Sequence, residues 1–244
     1  MPISTPQTGT NRIVVSFWRR CVWFRLPIPT FAMLPVLVAV TFLVLTGASA
    51  RAEDINNNHR LLIATKAGDL VVVKNLLAQG AAVNSRNRAG DSPLILAASA
   101  GKVELVRMLL AAGANPNQPN LSAVTPLIAA AYHGHDAVVA LLLQHGADLN
   151  AADRIEKTAL LYACVYGHTA VIERLLDAGL DPNQRYPNRL TALMWAAGSG
   201  QVAAVQLLLN RGADAGLRDD RSKTAAQIAA ANGHAAVAAL LTGR

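Results

Sequence analysis

TPLIAAAYHGHDAVVALLLQHGADLN, residues 125–150, holds two short apolar runs, each closed by a glycine, followed by a polar tail that ends in asparagine. The phrase also stands 33 residues earlier as SPLILAASAGKVELVRMLLAAGANPN, residues 92–117. Its marks keep that step along the chain. Gly68, Gly101, Gly134, Gly167, Gly200 and Gly233 form one series, and Gly80, Gly113, Gly146, Gly179 and Gly212 a second. Asn84, Asn117, Asn150 and Asn183 form a third. Ser92, Thr125, Thr158, Thr191 and Thr224 form a fourth, followed by Pro93, Pro126, Ala159, Ala192 and Ala225. A fixed period of this length denotes stacked structural repeats.

Each mark has a physical task. A Ser or Thr hydroxyl accepts an otherwise unpaired amide at a helix start, and proline fits the first helical position because its missing N–H has no partner there. A first helix is therefore predicted to begin at Pro93 and its equivalents. Leu94, Ala97, Ala98, then Leu127, Ala130, Ala131, then Leu160, Ala163, Cys164, then Leu193, Ala196, Ala197 lie on one helical stripe. The first glycine series ends that helix, since glycine takes a left-handed conformation at little cost. A second stripe follows in Val106, Leu109, Leu110 and in the equivalents Val139, Leu142, Leu143, then Ile172, Leu175, Leu176, then Val205, Leu208, Leu209. The second glycine series closes it. The polar segment of about eight residues between Asn84 and Ser92, and at each later equivalent, suits a turn or hairpin finger.

On these two phrases the chain closely resembles the ankyrin repeat family, from about residue 54 to its end. The resemblance implies an all-α solenoid of six helix-turn-helix units with short hairpin or turn fingers. The units fall at about 54–86, 87–119, 120–152, 153–185, 186–218 and 219–244. The family's Thr-Pro-Leu-His phrase is incomplete, with Ile95, Ile128, Leu161, Met194 and Gln227 in place of the histidine. The array is thus expected to lack one polar tie between repeats and to rely more on packing. In the last unit Ala226, Ala238 and Thr242 replace larger apolar residues, and that unit is expected to fray or to be covered by a partner.

Residues 1–52 read differently. Arg12, Arg19, Arg20 and Arg25 precede an apolar core from Phe31 to Thr46, and Ala48-Ser49-Ala50 and Ala50-Arg51-Ala52 supply small-residue exits. This is the pattern of a secretory signal peptide, cleaved after Ala50 or Ala52. The core is shorter than the ~20 residues of a spanning helix, and Pro35 interrupts it. The expected location is periplasmic or secreted, and the alternative is an inner-membrane anchor retaining residues 31–50. Removal of residues 1–52 takes away five arginines and no acids, so the formal net charge falls from +7 to +2. Nucleic-acid binding loses its support, because it needs a basic excess on the folded part. Of the two cysteines only Cys164 remains, so no intramolecular disulfide holds residues 53–244.

No catalytic motif or cofactor loop stands out, and the sequence predicts neither an enzyme nor a resident metal. His135, His168 and His234 follow the first glycine series and read as punctuation. An alternative reading joins His133, His135 and His145 in a metal- or small-molecule-responsive accessory protein. Cys164 fills an alanine slot and reads as a core residue. Ankyrin arrays bind proteins through their finger tips and the exposed edge of the first helices. The resemblance therefore directs attention to residues that break the repeat rule there. On the helix edge these are Tyr132, His133, Val165 and Tyr166. On the fingers they are Arg88, Leu121, Val124, Arg154, Ile155, Tyr186 and Leu190. Aromatics beside arginines match the composition of binding hot spots. Asp91, Asp153, Glu156, Asp219 and Asp220 are expected to dilute the basic fringe, leaving a mild preference for acidic partners. The expected partner is a protein, with no nucleic acid and with membrane contact only through an uncleaved N-terminal segment.

Overall fold

The computed structural model of the chain describes residues 56–243. The expected signal segment and its cleavage site lie outside the described residues. Among those residues, twelve α-helices form six consecutive pairs: α1 (56–67) and α2 (Leu70–Ala78), α3 (Pro93–Ser99) and α4 (Val103–Ala111), α5 (Pro126–Tyr132) and α6 (Asp136–Gln144), α7 (Ala159–Tyr166) and α8 (Thr169–Asp177), α9 (Ala192–Gly198) and α10 (Val202–Asn210), α11 (Ala225–Ala231) and α12 (Ala235–Thr242). No strand is present among the described residues beyond an isolated antiparallel bridge between Ala152 and Thr158. None of the described helices is long and apolar enough to cross a membrane.

The caps form where the Ser/Thr series places them. Ser92, Thr125 and Thr191 accept from the backbone N–H groups of Ile95, Ile128 and Met194. Thr224 and Gln227 cap each other reciprocally at the start of the last pair. Thr158 departs from the rule: it makes no capping bond and lies beside the Tyr186 phenol of the next finger.

From α3 onward each first helix packs on its own second helix and on the first helices of adjacent pairs, and the second helices from α2 onward pack on one another, giving two parallel layers. Their shared interface is one continuous apolar core. The predicted stripes lie in it, with Leu94, Leu127, Leu160, Leu142, Ile172 and Leu175 fully or almost fully buried. Burying one such side chain contributes about 1.5–3 kcal/mol. The stripe on the second helices is wider than predicted, since Leu105, Val138, Val171 and Ala204 are buried as well. Ile95, Ile128, Leu161 and Met194, at the position of the family's histidine, are core residues.

These apolar side chains offer no hydrogen bond, as expected, and the repeats are tied instead by two polar contacts at other positions. In the first, the Asn117 side chain accepts from Asp148 N at 2.7 Å and donates to the Gly146 carbonyl at 2.9 Å. Asn84 and Asn183 span their junctions in the same way. Asn150 lacks this pair of bonds, and there Leu180 occupies a slot that holds alanine at 81, 114, 147 and 213.

The second tie uses the residue after the first glycine. His135 donates from Nε2 to the Ser99 carbonyl at 3.1 Å, and His168 to the Tyr132 carbonyl at 3.0 Å. Gln201 does the same toward Val165. Each ring or amide lies against the preceding repeat's glycine. A Cβ on Gly134 would stand 2.6 Å from His168 Nδ1. Gly134 therefore answers two demands, a left-handed φ of 74° and the absence of a side chain.

Candidate functional site

The fingers are turns built on one device. Asn87, Asn120, Asp153 and Asp219 each accept, through Oδ1, the backbone N–H groups two and four residues on. The third residue after each, Gly90, Ala123, Glu156 or Ser222, has positive φ. Successive fingers are joined by single backbone bonds: Leu121 N–H donates to Ala89, Arg154 to Ser122 and Asp220 to Asn188. Finger 186–190 breaks both rules. Tyr186 stands where the others have Asn or Asp, and Pro187 has no N–H to offer Ile155. Its tip is a 3-10 turn, Pro187–Arg189, with Asn188 and Arg189 both left-handed.

The structure gathers the helix-edge residues into an aromatic cluster. The rings of Tyr132 and Tyr166 lie 4.7 Å apart, and Tyr166 donates to the Tyr132 hydroxyl at 3.1 Å. They remain 39% and 46% exposed. His133 meets Tyr132 edge-on at 4.8 Å and stacks on His135 at 5.8 Å. Partial burial, followed by the neighbouring His135 and His168, lowers the His133 pKa. The hydrogen bond to Tyr132 raises that of Tyr166. Val165 is half-buried, and its carbonyl is taken by Gln201.

The finger residues divide into two groups. Leu121 and Ile155 are the exposed apolar tips, at 55% and 66%. Arg88 and Arg154 are exposed, whereas Val124, Tyr186 and Leu190 are half-buried. Val124 lines a groove of about 270 Å³ with Ile95, Ile128, Tyr132, His133 and Tyr162. Leu190 lines another of about 240 Å³ with Met194, Trp195, Arg221 and Ile228. Burial pushes the Tyr186 phenol pKa up.

Three residues outside the sequence-based selection complete this face. Tyr162 packs on Tyr132 at 5.3 Å and donates to Asp153 Oδ2 at 2.5 Å. The Lys157 ammonium lies 4.7 Å from the centre of the Trp195 ring and 5.5 Å from that of Tyr162. Cation–aromatic placement of this kind is favourable and holds the ammonium in place. The signal was available in the sequence: Tyr162 and Trp195 are one period apart, at a position that holds Leu96, Ala129 and Ile228 elsewhere.

The three histidines of the alternative reading are not assembled into a site. His145 bonds to the Leu141 carbonyl within its own repeat, and His135 is committed to Ser99. Among the described residues no group of three His, Cys, Asp or Glu side chains is placed to hold a metal ion. Cys164 is fully buried, and burial raises its thiol pKa.

Paired helices stacked in register, with turn fingers along one edge, define a helical repeat protein. The family model for ankyrin repeats (3 copies) matches residues 36–120, 114–186 and 179–244. The chain belongs to the ankyrin repeat family. Comparison with curated proteins finds no match. Ankyrin repeats are generally non-catalytic modules of protein–protein interaction.

Proposed function

We propose that this chain is a binding scaffold working outside the cytoplasm, and that it engages its protein partner on the first-helix face between α5 and α9 and on the adjoining fingers. The observation that carries this reading is the exposed Tyr132–Tyr166 pair with the Leu121 and Ile155 tips. Large aromatics held in contact lose little side-chain freedom on association, which suits them to anchor an interface. The stacked repeats provide a preformed platform, so the cost of ordering falls mainly on the partner.

The test is affinity capture from the native compartment with the wild-type chain and a Tyr132→Ala, Tyr166→Ala double variant. The wild type is expected to recover proteins that the variant, folded to the same extent, does not. Equal recovery by both baits refutes the placement. Export rests on the basic head, apolar core and small-residue exit of residues 12–52. Mass spectrometry of the mature protein is expected to find Arg51 or Glu53 first, and an intact N-terminus overturns cleavage.

A further inference from the structure

The five acids that dilute the basic fringe in sequence are not equally available in three dimensions. Asp153 and Asp219 are buried, and both serve as turn acceptors. Asp91 is engaged by the side-chain amides of Asn87 and Asn120. That leaves Glu156 and Asp220 as the exposed finger acids. Against them stand Arg154, Lys157, Arg185, Arg189, Arg218 and Lys223 on the last three fingers, none within salt-bridge distance of a carboxylate among the described residues. The guanidinium groups of Arg185 and Arg218 bond to backbone carbonyls of the fingers, which fixes them without cancelling their charge.

Lys157 is central to this face. Its ammonium touches Tyr162, which lines the Val124 groove, and Trp195, which lines the Leu190 groove. It is thus a cation held between two apolar grooves, with no carboxylate partner among the described residues. The grooves are set by helix pairs three repeats apart, Ile95 with Ile128 and Met194 with Ile228. At about 8–10 Å between packed helices, the span is about 24–30 Å. An extended chain advances about 3.3 Å per residue and needs about eight to ten residues to cross it.

We propose that the partner presents an extended acidic segment of about this length. A carboxylate of the segment meets Lys157, apolar side chains enter the two flanking grooves, and further acids face the arginines of the last three fingers. This rests on the binding-scaffold reading above and specifies the chemistry of what is bound.

Fluorescein-labelled peptides of about ten residues, in which leucine alternates with glutamate, serine or lysine, test it by anisotropy against the full chain. The glutamate peptide is expected to bind at least about tenfold tighter than the serine peptide, the scale of one charge-assisted contact. Lys157→Met keeps the aliphatic stem and removes the charge. It is expected to weaken the glutamate peptide about tenfold in a chain that stays folded, with only a small drop in melting temperature from the lost cation–aromatic contacts, and the same variant guards against attraction by the N-terminal arginines. Arg107→Met, on the second-helix layer, is expected to change nothing.

The proposal is overturned by equal or tighter binding of the serine or lysine peptide, by an inert Lys157→Met, or by no peptide binding at all. It also falls if an oligothymidylate binds more tightly than the glutamate peptide. Self-association in sedimentation that Lys157→Met abolishes would give the face to a second copy instead. If the Tyr132, Tyr166 double variant loses captured partners while the peptide series is flat, the surface stands and its acidic preference falls.

Discussion

Replacing glycine by alanine at two positions of like backbone conformation separates the two glycine series. Gly134 and Gly146 have φ of 74° and 78°, so alanine is strained at both. That strain is about 1–2 kcal/mol. A Cβ at Gly146 meets nothing within 4 Å, whereas at Gly134 it stands 2.6–2.9 Å from three atoms of the His168 ring. The ring must move, and its bond to the Tyr132 carbonyl, 3.0 Å, is lost with it. A lost hydrogen bond adds about 0.5–1.5 kcal/mol. Gly146→Ala is therefore expected to cost about 1–2 kcal/mol and Gly134→Ala about 2–3 kcal/mol.

The cycle with His168→Ala isolates the difference. Once the ring is gone, Gly134→Ala should cost no more than Gly146→Ala, leaving a coupling of about 1 kcal/mol between positions 134 and 168. Urea unfolding followed by far-UV circular dichroism measures all four corners. At this chain length the gap between the two single variants corresponds to about 2–4 °C in Tm. Equal costs for the two glycines, or strict additivity of Gly134→Ala with His168→Ala, would refute the claim that the first series is required for space as well as for φ.

Three further outcomes follow from the structure. Cys164→Ser places a hydroxyl in a fully buried apolar slot and should destabilise by about 1–3 kcal/mol, while Cys164→Ala should stay within about 1 kcal/mol. Labelling of the Cys164 thiol should follow unfolding, as thiol-reagent kinetics in graded urea will show. Asn117→Ala removes two bonds between repeats and should cost about 1–3 kcal/mol, whereas Asn150→Ala, which lacks that bonded pair, should cost less in the same unfolding assay. The folded-state pKa of His133 lies below its ordinary value, so the unfolded chain takes up the proton first on acidification. The stability His133 contributes is present above pH about 6.5 and is lost as pH falls through the lower folded value. An NMR titration of its Cε1 proton with a midpoint above 6.5 would contradict this.

The sequence alone determined the period, the helix starts, the helix ends and nearly all of the core. These are local properties: a hydroxyl before a helix, a glycine after it, and apolar residues at helical spacing act within a few residues of one another. Repetition then turned one unit into a fold. It also pointed to Tyr132 and Tyr166, because a break in a repeat is visible against its sister units.

Tertiary structure decided what depends on neighbours about one period away. It placed a histidine ring over Gly134, tied successive repeats through Asn84, Asn117 and Asn183, and set Lys157 between Tyr162 and Trp195. It also turned Asp153 and Asp219 inward, so that acids counted as surface charge in the sequence became acceptors within finger turns. Burial and hydrogen bonding decide how far a charged side chain can reach a partner, and both are set by the tertiary structure.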